Sequence, residues 1–418
     1  MAAAQSIARR FTSPVVVAAL VDSLGSGAYL GLSVVILTRY VGLTNLTVAG
    51  FLSIASIAAF LLVVPLGLWA ERIGARAMLV ALHAVRAGAY ALLLLRPPAA
   101  LVLVLLCVTT AGERSAIPML QTLAAELNET DRVTTMARVR VMQNAGMSVG
   151  AGLAALALTV RSTAGLVAVV LWNIVSYLGA GALLLRGRQR APSPPQAPKS
   201  PDARTRRFVM LHDRRFATAT ALSAVLGLHA PVLTFAVPLW VTSRTSLPSG
   251  VLPTLVVCNT VTVVLLQVRL SKGAFGTRDA GRALAQSGLL LALTALLIAC
   301  TLAVRGGWGT VVLMAAILAQ TGAEMRQQAG AWGLSYALSP VERRAGYLSF
   351  FSLGSVARNA VAPMLLTAVV TAPGAWGWLA LALGMSMTSL LATLLTSRWA
   401  SKAPKEESME KSGPAGRC

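Results

Sequence analysis

Charged residues interrupt several long apolar stretches of this 418-residue chain. Glu113 and Arg114 occur in "TTAGERSAIP", Glu324 and Arg326 in "TGAEMRQQAG", and Asp22 in "ALVDSLGSGAYLG". An ionisable group at the centre of a bilayer costs about 2.5–3.5 kcal/mol, so such groups face other helices, find partners and are commonly functional. Two kinds of chemistry fit these residue types: ion pairs that hold helices together, and carboxyl groups that carry protons.

Asp22 is the first candidate for a proton-carrying group, because it has no basic neighbour in the sequence. A carboxyl group removed from water can take up and release a proton as its exposure alternates. The alternative is a carboxylate that only hydrogen-bonds to neighbouring helices. His229 is a second candidate for proton coupling, although a lone histidine is more often a packed polar residue.

The two glutamate–arginine sets fit a different role, because a carboxylate beside a guanidinium stays ionised. We expect Glu113 with Arg114, and Glu324 with Arg326, to clamp helices together. Such clamps either open and close during a functional cycle or only fix helix packing.

Two further arginines lie inside apolar stretches. We expect Arg86 to snorkel towards the membrane surface along its apolar stem. Arg358, which is followed by Asn359 and Pro363, either snorkels as well or faces a cavity, and it is a further candidate for a charge clamp between helices.

The elements that carry these residues are membrane helices. The chain is 56% hydrophobic and 12% charged with a mean hydropathy of +0.71, values outside soluble globular usage. A helix needs about 20 apolar residues to cross a bilayer. The sequence therefore predicts an all-α integral membrane protein, and the first apolar stretch is too long for a signal peptide. Its twelve predicted spans lie near 14–38, 47–69, 77–95, 99–121, 139–160, 164–185, 217–240, 250–270, 283–304, 309–331, 347–370 and 376–397.

Basic residues predict the orientation of these spans. The formal net charge is +22, which by itself would suggest a nucleic-acid binder. With both termini cytoplasmic, however, the inward connections and tails hold 27 Lys and Arg residues and the outward connections hold five. This distribution follows the positive-inside rule. The basic excess therefore indicates orientation in a lipid bilayer, and we expect no nucleic-acid partner.

The chain divides into two similar halves. A Pro-rich basic stretch, "RGRQRAPSPPQAPKSPDARTRR", separates six spans from six and is typical of a linker. At a spacing of 211 residues, Asp131-Arg132 matches Glu342-Arg343 and Glu113 matches Glu324. We predict two pseudo-symmetric six-helix bundles at 1–186 and 216–398, a cytoplasmic linker at 187–215 and a cytoplasmic tail at 399–418.

The loop between the second and third spans carries a family resemblance. The segment "GLWAERIGARAML", residues 67–79, resembles the G-x-L-A-D-R-x-G-R-K-x-x-L loop of the major facilitator superfamily. The resemblance implies a secondary transporter in which Glu71, Arg72 and Arg76 take part in gating, while Gly67 and Gly74 allow close helix approach and a sharp turn. A carboxylate there can dock on a neighbouring helix N-terminus or on a basic partner. The alternative is that the charged residues only cap helices and set topology.

Two other features concern the direction of transport and the substrate. Span five has "GMSVGAGLAA", a degraded form of the glycine motif of the family's antiporters, in which Gly146, Gly150 and Gly152 alternatively serve close packing. Helix breakers in span seven indicate a cavity nearby. Tyr29, Phe235 and Trp240 are candidates to contact an amphipathic substrate, or else to anchor helices at the membrane surface.

Other chemistries find little support in the sequence. It has no CxxC, no His-Cys cluster, no Gly-rich phosphate loop and no Walker-type lysine, so we expect no enzyme activity, cofactor or metal site. We predict a monomeric transporter that exports small amphipathic molecules in exchange for protons. The alternatives are an uptake permease for a small nutrient and a scaffold or receptor without transport. Abundant alanine and arginine favour a bacterial plasma membrane.

Overall fold

The computed structural model describes residues 13–127, 131–159, 163–186, 209–248, 250–274, 276–304 and 307–401. In these ranges the chain forms twelve long helices and no β-strand, which confirms the predicted all-α fold. The helices are α1 Pro14–Val35 with a π-helical extension Ile36–Tyr40, α2 Asn45–Ile73, α3 Ala75–Leu93, α4 Ala99–Leu127, α5 Arg132–Thr159, α6 Thr163–Arg186, α7 Arg214–Arg244, α8 Val251–Leu270, α9 Thr277–Cys300, α10 Gly307–Leu338, α11 Arg344–Thr371 and α12 Trp376–Ser401.

Eleven of these helices are long and apolar enough to cross a membrane, and α10 is longer but more polar. Some predicted edges were wrong. Helix α5 begins at Arg132 instead of near 139, and α10 runs to Leu338 instead of ending near 331. Hydropathy marks only the part of a helix inside hydrocarbon, whereas the backbone hydrogen bonds continue into the polar region beyond it.

Much of the predicted linker and tail lies outside the described residues. The last part of the linker forms a one-turn helix, Val209–His212, followed by Asp213. Asp213 caps α7, because its Oδ1 accepts hydrogen bonds from the backbone N–H groups of Arg215 and Phe216, both at 3.0 Å.

Helix pairing repeats from one half to the other. In the first half α1 packs on α5 and α6, α2 on α4, and α3 on α4 and α6. In the second half α7 packs on α11 and α12, α8 on α10, and α9 on α10 and α12. Between the halves, α2 contacts α11 and α5 contacts α8. If each helix is replaced by its equivalent in the other half (α1 by α7, α2 by α8 and so on), every one of these contacts corresponds to another contact in the list, as pseudo-symmetry requires.

The buried apolar side chains form separate cores at one end of the molecule and a shared core at the other. The shared core contains Leu79 and Leu123 of the first half with Trp332, Tyr336 and Leu348 of the second. It lies at the end that carries the loop 67–79, which we call the loop 2–3 end and which is the predicted cytoplasmic end. Towards the opposite end each half has its own core, and the core of the second half also continues to the loop 2–3 end, where it includes Ala219, Leu284 and Ala392. The halves are therefore packed together at the loop 2–3 end.

Glycines let α5 approach α1 closely. A Cβ atom on Gly146 would lie 2.7 Å from the carbonyl oxygen of Leu20, and one on Gly150 would collide with the backbone of Leu24. Gly152 faces open space, with nothing within 4 Å. In this structure Gly146 and Gly150 serve close packing, and a role of the motif in antiport stays a prediction.

Replacing Gly146 with alanine is expected to destabilise the protein. The added methyl group overpacks the α1–α5 contact, at a cost of about 1–3 kcal/mol. Thermal unfolding of the purified protein in detergent measures the effect. Gly152→Ala is the matched control, and it should leave the unfolding midpoint unchanged or raise it slightly because alanine favours helix. Equal midpoints for the two variants would contradict the packing role.

Candidate functional site

Glu71 of the loop 67–79 contacts the beginning of α11. Its Oε1 accepts a hydrogen bond of 3.0 Å from the backbone N–H of Gly346, in the first turn of α11, where N–H groups lack helical partners. Gly67 allows the approach, because a Cβ atom there would lie 2.9 Å from the carbonyl oxygen of Ala345. The contact joins the two halves of the molecule, and its role in gating stays a prediction.

The other predicted loop residues have different surroundings. Gly74 separates α2 from α3 with a φ of +89°, a conformation that glycine adopts without strain. Arg76 donates a hydrogen bond of 3.1 Å to the carbonyl oxygen of Leu184, near the end of α6. Arg72 is exposed. Within the loop, Glu71 therefore makes the hydrogen bond to the second half, whereas Arg76 bonds within the first.

Tyr336 makes a second contact between the halves at the loop 2–3 end. Its hydroxyl donates a hydrogen bond of 2.8 Å to the carbonyl oxygen of Gln121 in α4. The guanidinium carbon of Arg132 lies 5.2 Å from the centre of the Tyr336 ring, within cation–π range. Both contacts reinforce the closure at this end.

Asp22 lies in a polar group inside the first half. Its Oδ1 lies 3.4 Å from Nη1 of Arg86 and 3.5 Å from Nε2 of His83, both on α3. Arg86 is 2% exposed and also donates a hydrogen bond to the hydroxyl of Tyr177 on α6. The prediction that Arg86 snorkels was wrong, because its partners lie inside the bundle and hold the guanidinium there.

Glu113 and Arg114 point towards different parts of the molecule. Successive helical residues project about 100° apart, so neighbours in sequence do not face each other. Glu113 interacts electrostatically with Arg86 and Tyr177 of the first half. Arg114 interacts with Arg358 of the second half. The described residues show no ion pair between Glu113 and Arg114, so the two do not hold each other, and their role as clamps between helices stays a prediction.

Glu324 joins the two halves through a partner that the sequence did not indicate. Its Oε1 lies 3.3 Å from Nη2 of Arg140 on α5 and accepts a hydrogen bond of 3.1 Å from Gln328. Its Oε2 accepts one of 3.1 Å from Asn259 on α8. Arg326 instead donates to the carbonyl oxygen of Leu270 at 2.7 Å. Glu324 and Arg326 do not pair with each other, because residues two apart project from different sides of a helix. Each bonds a residue of another helix instead, and their role as clamps between helices stays a prediction.

Arg358 of α11 places its guanidinium beside α7 of its own half. Its Nε and Nη2 donate to Oδ1 of Asn359, at 3.1 and 2.9 Å, and its guanidinium lies against Gly227 of α7. It is within electrostatic range of Arg114 and Arg140. At a rise of 1.5 Å per residue, Arg114, Glu324 and Arg358 each lie roughly 20 Å from the loop 2–3 end of their helices. We call Arg114, Arg140, Glu324 and Arg358 the interface cluster.

His229 follows a real interruption of α7. The helix breaks at Gly227–Leu228 and continues through a π-helical turn, Val232–Ala236, as the helix breakers of span seven indicated. His229 is 4% exposed and interacts electrostatically with Glu324. Its Nδ1 has no hydrogen-bond partner. Its role in proton coupling stays a prediction.

Comparison with known proteins identifies the fold and the family. The family model of the Major Facilitator Superfamily matches residues 15–337, which is more than half of the chain. The chain belongs to the major facilitator superfamily. A search of curated protein sequences gives no match.

Solved structures of other major facilitator superfamily transporters resemble this chain in fold. A bacterial homologue of the iron transporter ferroportin, in an outward-facing state, gives a TM-score of 0.67 at 16% identity, over 93% of this chain and 99% of that one. The human organic anion transporter MFSD10 gives 0.65 at 18% identity, over 93% and 99%. The proton:xylose symporter XylE gives 0.64 at 14% identity, over 92% and 95%. Identities this low show the shared fold alone.

The three aromatic residues predicted to contact a substrate pack against other side chains within their own halves. Trp240 is 1% exposed, donates to the hydroxyl of Thr301 at 3.0 Å and packs edge-on against Trp378. Tyr29 is buried against Tyr90. Phe235 is half-buried against the core of the second half. The assignment of Trp240 and Tyr29 to a substrate cavity or a membrane surface was therefore wrong, because each fills its bundle's core.

Sequence reasoning missed three residues of the site, namely His83, Arg140 and Asn259. His83 and Asn259 are polar residues within apolar spans, a signal that was available. Arg140 lies at the polar start of predicted span five, 139–160, where nothing in the sequence singled it out. Among the described residues no group of three or more His, Cys, Asp or Glu side chains could hold a metal ion.

The Glu71 contact can be tested by the accessibility of residues beneath it. In a variant without native cysteines, Ser349→Cys should react slowly with a membrane-impermeant maleimide applied to the loop 2–3 end, because Ser349 is fully buried. Adding Glu71→Ala should speed labelling about tenfold, since hydrogen bonds to charged groups contribute about 1.5–3 kcal/mol. Asp279→Ala, which removes an exposed carboxylate outside the loop 67–79, is the control. Equal labelling rates in the two variants would exclude a closing role for Glu71.

The Asp22–Arg86 pair predicts non-additive effects on stability. Arg86→Met should lower the free energy of unfolding by up to about 3 kcal/mol, because it leaves the half-buried carboxylate of Asp22 without its guanidinium partner. Adding Asp22→Asn should recover part of that loss. Thermal unfolding of both single variants and the double variant completes the cycle. Strictly additive losses would show that the pair is not coupled.

Proposed function

We propose that this chain is a proton-coupled secondary transporter that exports small amphipathic molecules by alternating access between its two halves. The observation that carries the proposal is a shared packed core at the loop 2–3 end combined with separate cores towards the other end. Ionisable groups lie at mid-depth where the halves face each other. A substrate bound there would be reached from one side of the membrane at a time.

The closed end has the contacts that such a cycle must break. The hydrogen bond from Gly346 to Glu71 and that from Tyr336 to Gln121 both join the halves there. With the loop 2–3 end facing the cytoplasm, as the basic residues predict, this arrangement corresponds to an outward-facing state. The similar ferroportin homologue was solved in an outward-facing state. We place both termini in the cytoplasm of a bacterial cell and expect the transporter to act as a monomer.

The first half supports proton coupling through an excess of carboxylates. Asp22 and Glu113 both interact with the single guanidinium of Arg86, so one negative charge has no full partner. A proton arriving from outside can neutralise it, which would release Arg86 and change the packing of α1, α3 and α4. His83, at 3.5 Å from Asp22, is the neighbouring group that could pass the proton. The similar structure of XylE is that of a proton symporter.

Uptake of a small polar nutrient is the second candidate function. The interface cluster and its partners are more polar than the sequence suggested, since Glu324 contacts Asn259 and Gln328 as well as Arg140. A hydrophilic substrate would suit these groups. Export is favoured by the apolar spans around them and by the predicted antiporter-like segment on α5.

Transport in membrane vesicles distinguishes these functions. Inverted vesicles that contain the protein are loaded with a pH gradient, acid inside, and given a panel of anionic, neutral and cationic dyes. An exporter accumulates its dye in inverted vesicles, and a proton-coupled uptake permease accumulates it in right-side-out vesicles with acid outside. Asp22→Asn should abolish gradient-driven accumulation but keep exchange of dye across the membrane without a gradient, because binding and alternation do not need the proton.

Asp279→Asn is the control for this change, because Asp279 is an exposed carboxylate that pairs with Arg282. It should transport like the original protein. Unchanged accumulation in Asp22→Asn would remove Asp22 as the proton site. No gradient-dependent movement in either kind of vesicle would rule out proton-coupled transport of these molecules.

A further inference from the structure

The interface cluster holds three guanidinium groups and one carboxylate. Arg114 and Arg140 come from the first half, and Glu324 and Arg358 from the second. Glu324 pairs with Arg140 at 3.3 Å. Two of the three guanidinium groups therefore have no carboxylate partner at mid-depth, where an unpaired charge is costly.

The remaining contacts of these arginines leave their charges uncompensated. Arg358 donates to the neutral amide of Asn359 and is opposed by the nearby Arg114 and Arg140. The described residues provide neither an ion pair nor a hydrogen bond for the side chain of Arg114. Nε of Arg140 is buried without an acceptor.

Other titratable groups nearby do not restore neutrality. The side chain of Glu113 projects from α4 about 100° away from that of Arg114. It interacts with Arg86 inside the first half. His229 faces Glu324, Arg358 and Arg140 and can contribute only a further positive charge. The face between the halves thus carries an excess of about two positive charges.

The cluster is also accessible. Arg140 is 37% exposed, although its partner Glu324 is only 8% exposed, and Arg114 and Arg358 are half-buried. Arg140 of the first half pairs with Glu324 of the second, so the cluster lies where the two halves meet. It lies deep in the molecule, because Arg114, Glu324 and Arg358 are each roughly 20 Å from the loop 2–3 end of their helices.

We propose that the interface cluster binds the anionic group of the transported molecule, so that the substrate class is small organic anions such as carboxylates, sulfonates or phosphate esters. This inference rests on the proposed transport function and specifies its substrate. Guanidinium groups bind such oxyanions through paired, charge-assisted hydrogen bonds. Arg114 and Arg358, from opposite halves, hold the anion between them, and Glu324 competes with it for Arg140.

Binding to the purified protein in lipid nanodiscs tests the substrate class. The probes are matched sets built on naphthalene, indole, benzene and hexane skeletons, each as a carboxylate, a methylammonium and a hydroxymethyl compound. Ligand-induced stabilisation against thermal unfolding gives each dissociation constant. We expect carboxylates to bind, and the matched cations and neutral compounds to bind at least tenfold more weakly, roughly the effect of one charge-assisted hydrogen bond.

Variants give effects of opposite sign. Arg114→Met and Arg358→Met should each weaken carboxylate binding by about tenfold, whereas Glu324→Gln should strengthen it because it frees Arg140. Arg278→Met, which removes an exposed arginine in the first turn of α9, should leave binding unchanged. If a methionine variant fails to fold, Arg114→Lys and Arg358→Lys replace it and should retain partial binding because the charge remains.

Three results would overturn the proposal: preferential binding of cations or neutral compounds, equal carboxylate binding in the arginine variants, or no binding by any carboxylate. The vesicle assay separates this outcome from failure of the transport function. If a cationic or neutral dye moves with the gradient but no carboxylate binds, the proposed transport function stands and the anionic substrate class is rejected. If carboxylates bind in a way that depends on Arg114 and Arg358 but nothing moves with the gradient, the anion site stands and proton-coupled transport is rejected.

Discussion

Charges placed in hydrocarbon must find their partners inside the protein, and this requirement organises the packing of the helices. Arg86 finds its partners inside the first half, where Asp22 and Tyr177 bring α1 and α6 against α3. Arg140 finds its partner, Glu324, across the boundary between the halves. Asn259 of α8 also donates a hydrogen bond to Glu324. One ion pair therefore fixes the interior of a bundle, and the other fixes how the two bundles face each other.

The same requirement distributes charge unevenly along the transport route. The interior of the first half has two carboxylates for one guanidinium, whereas the face between the halves has three guanidinium groups for one carboxylate. A protein that only needed stable packing would balance each set locally. An excess of one sign in each place fits exchange with mobile partners, a proton in the first set and an anion in the second.

Closure at the loop 2–3 end depends on small residues as much as on charges. Gly67 and Gly346 let α2 and α11 approach until the carboxylate of Glu71 reaches a backbone N–H group. The apolar core around Tyr336 then packs on both halves at once. These contacts are short and few, and each involves one residue from each half. Separating the halves breaks these hydrogen bonds and opens the shared core, whereas the cores that lie within a single half stay intact.

The sequence by itself determined the twelve membrane helices, because the length and apolar content of a span are local properties that hydrocarbon selects directly. It also indicated which residues would be unusual, since Asp22, Glu113, Glu324 and Arg358 are conspicuous in apolar surroundings. Only the tertiary structure decided their partners. Arg86 reaches Asp22 from 64 residues away, and Arg140 reaches Glu324 from 184. Side chains adjacent in sequence, such as Glu113 and Arg114, diverge because a helix turns about 100° per residue, so proximity in the chain could not predict proximity in space.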